Sequence, residues 1–151
     1  MKNKIVPFLW FNDNAEEAMK FYVSVFKKAK ITCCQRHGKK MFLGALEVEG
    51  QPFMLLNGGP HYKITPAISF FVRCKDQREV DYFWKKLSQG GKIMPCGWLT
   101  DKFGVSWQII PETLGKLMSD PDPVKSGRVY QAMLTMSKIN VKQLETAFAG
   151  K

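Results

Sequence analysis

Apolar residues fill positions 5–11, "IVPFLWF", without a break. A short run of this kind, bounded by polar residues, predicts a buried strand. The period then changes. In "NDNAEEAMKFYVSVF", Ala15, Ala18, Met19, Tyr22, Val25 and Phe26 recur at helical spacing, so an amphipathic helix is expected. Asn14 is placed to cap it, with Glu17 three residues on as the capping partner. Three extended stretches follow, "AKITCCQR", "MFLGALEVEG" and "QPFMLLN", and the Glu-Gly-Gln-Pro junction at 49–52 predicts a hairpin turn. Glycine and proline then mark a linker at about 59–65.

After the linker the order repeats. "AISFFVRC" predicts a strand and "DQREVDYFWKKL" a helix, with Val80, Phe83, Trp84 and Leu87 on its apolar face and Gly90–Gly91 ending it. Aligning Asn14 with Asp76 pairs Glu17 with Glu79, Phe21 with Phe83, and Tyr22 with Trp84. Extended "KIMPC", "GWLT" and "VSWQIIP" complete the set. The chain therefore reads as two βαβββ modules, at about 4–58 and 66–111, and an internal repeat outweighs any single motif in deciding a fold. Residues 112–151 break the pattern. A turn cluster, "SDPDP", precedes two helically spaced groups: Val129, Ala132, Met133 and Met136, then Val141, Leu144 and Phe148. The expectation is one α+β domain over 1–151 with two short C-terminal helices.

The alternation inside each module divides its sheet into unlike faces. "DKFG", 101–104, supplies a hairpin turn: Asp101 accepts local backbone N–H bonds and Gly104 takes the left-handed conformation. Beyond it, Val105, Trp107 and Ile109 are apolar and are expected under the helix, while Ser106, Gln108 and Ile110 face away. Likewise Ile68, Phe70 and Val72 suit the helix side, and Ala67, Ser69, Phe71 and Arg73 the other. Two such sheets joined by their mixed faces would make a lined cup, a usual shape for a small-molecule site.

Composition narrows the function classes. The 151 residues are 45% hydrophobic and 24% charged, as in a globular domain. No apolar run reaches the roughly 18–20 residues of a membrane span. The opening residues carry too short an apolar run, and acidic residues too early, for a secretory signal, so a cytoplasmic protein is expected. Net charge is +10, from 23 basic and 13 acidic side chains. That raises nucleic-acid association as one reading, but the lysines are scattered and the aromatics fall at core periods, which argues for a solvated basic surface. Four cysteines, at 33, 34, 74 and 96, show no CxxC spacing, and the adjacent pair points to opposite faces of a strand, so incidental thiols are expected. His37 lies in a turn and His61 in the linker. Cys96 reads as a structural thiol, and Trp10 and Trp107 as core.

"PFLWFNDNAEEAMKFY", "AISFFVRCKDQREVDYFWKKLSQGG" and "CGWLTDKFGVSWQIIP" resemble the PhnB-like branch of the vicinal oxygen chelate superfamily, which includes glyoxalase I, bleomycin-resistance proteins and extradiol dioxygenases. This branch often carries the description 3-demethylubiquinone-9 3-methyltransferase. The likeness extends to the tail, "RVYQAMLTMSKINVKQLE", and departs at 36–41, which is shorter than the family pattern. It implies paired βαβββ modules forming a cup, commonly in a homodimer. It also implies where metal-dependent relatives hold their ion. Those positions fall near Val6–Phe8, at Leu56 or Asn57, at Ala67 or Ser69, and at Gln108, where relatives place Glu. One neutral amide and a hydroxyl do not replace two His and carboxylates, so no metal is expected. S-adenosylmethionine, implied by the methyltransferase wording, finds no strand–GxGxxG–helix unit, and no cofactor is expected.

The reading that follows is a small-molecule-binding protein with a pocket lined by Asn57, Ser69, Cys96, Trp98 and Gln108, whether or not it catalyses a reaction. The alternatives are a divalent-metal-dependent enzyme using Gln108 with ligands from a partner subunit, and nucleic-acid association through the basic surface.

Overall fold

The computed structural model describes residues 3–151. The chain divides into two compact units, with the boundary between Thr65 and Pro66.

In the first unit, β1 (Phe8–Phe11) leads into α1 (Ala15–Val25), then β2 (Ala29–His37), β3 (Lys40–Val48) and β4 (Gln51–Asn57). The sheet order is β1-β4-β3-β2. β1 and β4 run parallel and the remaining pairs antiparallel. This is the expected βαβββ module, with β1 starting three residues later than the apolar run suggests; Pro7 contributes only its carbonyl, which accepts from the Met54 N–H at 2.9 Å. Ala15, Ala18, Met19, Tyr22 and Val25 form the buried stripe of α1, and each large apolar side chain so covered contributes about 1.5–3 kcal/mol. Beneath it lie Leu9, Phe11, Leu46, Phe53 and Leu55, all buried.

Two local expectations change here. Asn14 makes no side-chain capping bond; the α1 N-terminus is capped from a distance by Asn57, whose Oδ1 accepts from the Ala15 N–H at 2.9 Å. Trp10 is half-buried, because it lies on the sheet face away from α1. There the linker folds over it: its indole N–H donates to the Gly59 carbonyl at 2.8 Å and its ring meets Tyr62 edge-on.

In the second unit, β5 (Ser69–Cys74) leads into α2 (Gln77–Leu87), then β6 (Lys92–Ile93), β7 (Trp98–Thr100) and β8 (Ser106–Pro111), in the sheet order β5-β8-β7-β6. The parallel pair is again the first and last strand. The second cap forms as expected: Asp76 accepts from the Glu79 N–H at 3.0 Å, and Glu79 accepts from the Lys75 N–H at 2.9 Å. Val80, Trp84 and Leu87 of α2 are buried, as are Leu99, Trp107 and Ile109 of the sheet and Val105 just before β8. Ile68 departs from its expected place. It precedes the first strand residue and is 64% exposed.

Three helices follow where two were expected: α3 (Glu112–Met118), α4 (Pro123–Leu134) and α5 (Val141–Ala149). α3 continues directly from β8 and buries only Leu114. The three helices pack around Leu114, Val129, Met136, Ile139 and Leu144, and Ile110 of β8 joins that cluster. Arg128 of α4 closes the bundle by donating to the Ala147 and Phe148 carbonyls at the end of α5.

Candidate functional site

The hairpin 98–111 is set from inside. Asp101 is buried, and its Oδ1 accepts from the Phe103 and Val105 N–H groups at 2.8 and 3.1 Å while its Oδ2 accepts from the Trp107 indole at 2.8 Å. Gly104, at φ 88°, makes the left-handed step that returns the chain. With the turn so fixed, register decides what each face of the sheet displays. Gln108 stands opposite Phe71 on one side and Trp98 on the other. Ser106 stands opposite Ser69 and Thr100.

These residues share the face away from α2. Two side-chain bonds cross it. The Gln108 amide nitrogen donates to the Ser69 hydroxyl at 2.9 Å, and the Thr100 and Ser106 hydroxyls meet at 3.2 Å. Ser106 is fully buried and therefore structural, whereas Gln108 and Trp98 are half-buried. Phe71 is 56% exposed. Among the described residues, no hydrogen bond reaches the Gln108 Oε1 or the Trp98 indole N–H. The face thus presents a cross-strand row, Phe71–Gln108–Trp98, in which an amide between two aromatic residues keeps one acceptor open and the neighbouring strand carries one open donor. Phe71 enters this picture from register alone; the sequence marked its face but not its neighbours.

Of the other expected site residues, Cys96 is half-buried at the corner before β7, in a left-handed conformation with φ 59°. Asn57 lies on the helix side of the first sheet. Its amide is taken at both ends, accepting from Ala15 and donating to the Met41 carbonyl at 3.0 Å. Its polar end is thus accounted for by the architecture of its own module, a role with no local signature because both partners are distant in the chain. His37 and His61 are exposed.

The thiols differ in character. Cys33 and Cys34 are exposed on the edge strand β2. Cys74 is buried on the α2 side, and burial, helped by the Glu79 and Asp76 carboxylates, pushes its thiol up to about 12.

The donor set does not fit a divalent ion. Among the described residues no three His, Cys, Asp or Glu side chains come together as a metal site. Gln108 already shares its amide with Ser69, which leaves one neutral oxygen. Nor does either sheet have the all-parallel, doubly wound order that carries a glycine-rich nucleotide turn. No helix among the described residues is long and apolar enough to cross a membrane.

The chain resembles known structures over its two modules. A PhnB protein from Bacillus cereus, bearing the description 3-demethylubiquinone-9 3-methyltransferase, is 34% identical, with 70% of this chain and 97% of that one covered at a TM-score of 0.66. Protein PA1353 from Pseudomonas aeruginosa is 22% identical, with 70% and 95% covered at 0.59. The fosfomycin resistance protein FosX from Listeria monocytogenes, solved with Mn(II) and sulfate, is 12% identical, with 71% and 89% covered at 0.53, and shares the fold. No curated protein matches the chain. The family model for 3-demethylubiquinone-9 3-methyltransferase matches residues 3–110, so the match stops short of the tail that the sequence likeness had included. The chain belongs to that PhnB-like family, within the glyoxalase and vicinal oxygen chelate superfamily.

Proposed function

We propose that the protein binds a small planar molecule on the open face of the second module's sheet, over the row Phe71–Gln108–Trp98, without a metal ion. The observation that carries this reading is an open amide oxygen between two aromatic residues, with an open indole N–H on the neighbouring strand. Neighbouring strands lie about 4.8 Å apart, so the outer residues of a three-strand row stand roughly 9–10 Å apart, the span of one or two fused rings. A ligand with one hydrogen-bond donor and one acceptor on its edge satisfies both open groups, and its faces gain from the rings. Ser69 orients the Gln108 amide, and Cys96 borders the Trp98 end. Asn57 enters only as the residue that orders the first module.

Methyl transfer is not part of this reading, and the family description is carried by name alone. A homodimer is part of it, since Ile68 and Phe71 leave apolar surface exposed; sedimentation of the purified chain tests that part, and a monomer at all concentrations would overturn it. Exposed free thiols at Cys33 and Cys34 suit a reducing compartment, so we place the protein in the cytoplasm.

Titration with a panel of planar carboxamides and phenols, followed by tryptophan fluorescence, tests the site. Saturable quenching is expected for at least one member, with affinity falling about tenfold or more in Gln108→Leu and in Trp98→Phe. Binding that is the same in both variants as in the parent would overturn the site. One divalent ion per chain in protein purified without chelators would overturn its metal-free character.

A further inference from the structure

We propose that the C-terminal helices act as a strut that fixes the corner at residues 96–98 and, through it, the Trp98 end of the ligand row; its consequence for binding rests on the ligand reading above. Cys96 is a non-glycine residue at φ 59°, followed by Gly97 at φ 81°. A left-handed residue with a side chain persists only where its surroundings hold it. Within the turn the Trp98 N–H donates to the Pro95 carbonyl at 3.2 Å, and two further holding groups come from the tail. The Cys96 N–H donates to the Met136 carbonyl at 2.8 Å, and the Gly97 N–H to the Ser137 carbonyl at 2.7 Å. On its other side, the Gly97 carbonyl accepts from the Ile109 N–H at 2.7 Å, which ties the corner to β8.

The packing is as tight as the hydrogen bonding. A Cβ on Gly97 would stand 2.7 Å from Ile110 Cδ1, 3.0 Å from the Ile109 carbonyl oxygen and 3.1 Å from Ile139 Cγ1. Ile139 is fully buried. The corner is therefore pressed between its own last strand and the segment joining α4 to α5.

That segment is in turn clamped by α2. The Gln77 side chain donates to the Ile139 carbonyl at 3.2 Å and accepts from the Val141 N–H at 2.8 Å, and Lys138 reaches Asp81 at 2.6 Å. Gln77, Ile139 and Gly97 thus form one line of contact from helix to tail to corner. The two carbonyls that hold the corner belong to residues beyond 110, where the family match ends. Gln77 is a positioning residue on this account; it does not touch the row itself.

Thiol chemistry reads the corner without any ligand. In a Cys33→Ser, Cys34→Ser background only Cys74 and Cys96 remain. Alkylation by iodoacetamide at neutral pH, resolved by mass spectrometry, then reports the corner through Cys96 and global opening through buried Cys74. Gln77→Ala is expected to speed modification of Cys96 about three- to tenfold and leave Cys74 unchanged. Ile139→Val, which removes Cδ1 but keeps the Cγ1 that faces Gly97 and every hydrogen bond, is expected to give a smaller rise, again at Cys96 only. An unchanged Cys96 rate in Gln77→Ala would overturn the strut, as would equal acceleration of both thiols. Because these rates involve no ligand, failure of the binding reading would leave them standing.

Discussion

Trp107 donates its indole N–H to Asp101 at 2.8 Å, and the accepting carboxylate is 3% exposed. The same carboxylate takes the Phe103 and Val105 N–H groups, so one side chain shapes the turn and seats the largest ring under α2. Replacing Asp101 with Ala leaves these donors without their acceptor. A loss of about 3–5 kcal/mol is expected, read as a lower midpoint in urea denaturation. An Asp101→Ala protein with the parental midpoint would show that the turn is held by something else.

Asn57→Ala removes the cap that reaches α1 from β4. The orphan Ala15 N–H and the Met41 carbonyl both lose a partner. The expected cost is about 1–2 kcal/mol, the usual range for loss of an N-cap. Asn14→Ala, whose side chain makes no capping bond, is expected to cost less. Thermal melts of the two variants rank them, and the reverse order would sink the assignment.

Glu16 couples α1 to the edge strand. Arg36 grips both its oxygens, at 2.7 and 2.9 Å, and Lys20 stands at 2.9 Å. The Arg36 hydrogen bond foremost, and then Lys20, lower the Glu16 carboxyl from 4.5 to about 2. The native state thus holds the ionised form. Its contribution is fully present above pH 4.5 and is lost as the pH falls from there through about 2. The stability gap between the parent and Glu16→Gln is expected to be flat near neutrality, to close across that acid window, and to shrink in high salt because the pair is exposed. A gap independent of pH would refute this.

Cys74 behaves in the opposite sense. Its thiol ionises near 9 in the unfolded chain but is pushed up to about 12 when buried beside Glu79 and Asp76. Stability from keeping it neutral is present below pH 9 and lost as pH rises from 9 toward 12. At pH 8 the native protein is expected to show rapid alkylation of Cys33 and Cys34 and almost none of Cys74 until denaturant is added. Mass mapping of the labelled cysteines checks this.

The repeat and the face assignments were legible in the sequence because periods of 2 and 3.6 leave a direct imprint on residue type. Val105, Trp107 and Ile109 are buried as the alternation required, and Gln108 lies on the other face. What escaped was non-local or weakly written. The capping of α1 by Asn57 joins residues 42 positions apart, while the local signal at Asn14 pointed to the nearer candidate. α3 is a seven-residue helix with Gly115 at its centre and one buried residue, too short for its period to register. Ile68 matched the strand pattern but sits one residue before the ladder begins. Within the candidate site, alternation puts both Ser69 and Gln108 on the face away from the helix, where they meet, whereas the place of Phe71 beside Gln108 depends on which strands are neighbours.

The sheet orders β1-β4-β3-β2 and β5-β8-β7-β6 place the last strand of each module in an interior lane, between the first strand and the third. The opening strand consequently has no ladder partner in its own sheet until the final one has been synthesised. During translation Phe8–Phe11 waits for Gln51–Asn57, and Ser69–Cys74 waits for Ser106–Pro111. Each module is therefore assembled late and by insertion, and a ribosome that halts before residue 106 leaves an apolar ribbon with nothing to zip against, the state in which nascent chains are most exposed to aggregation.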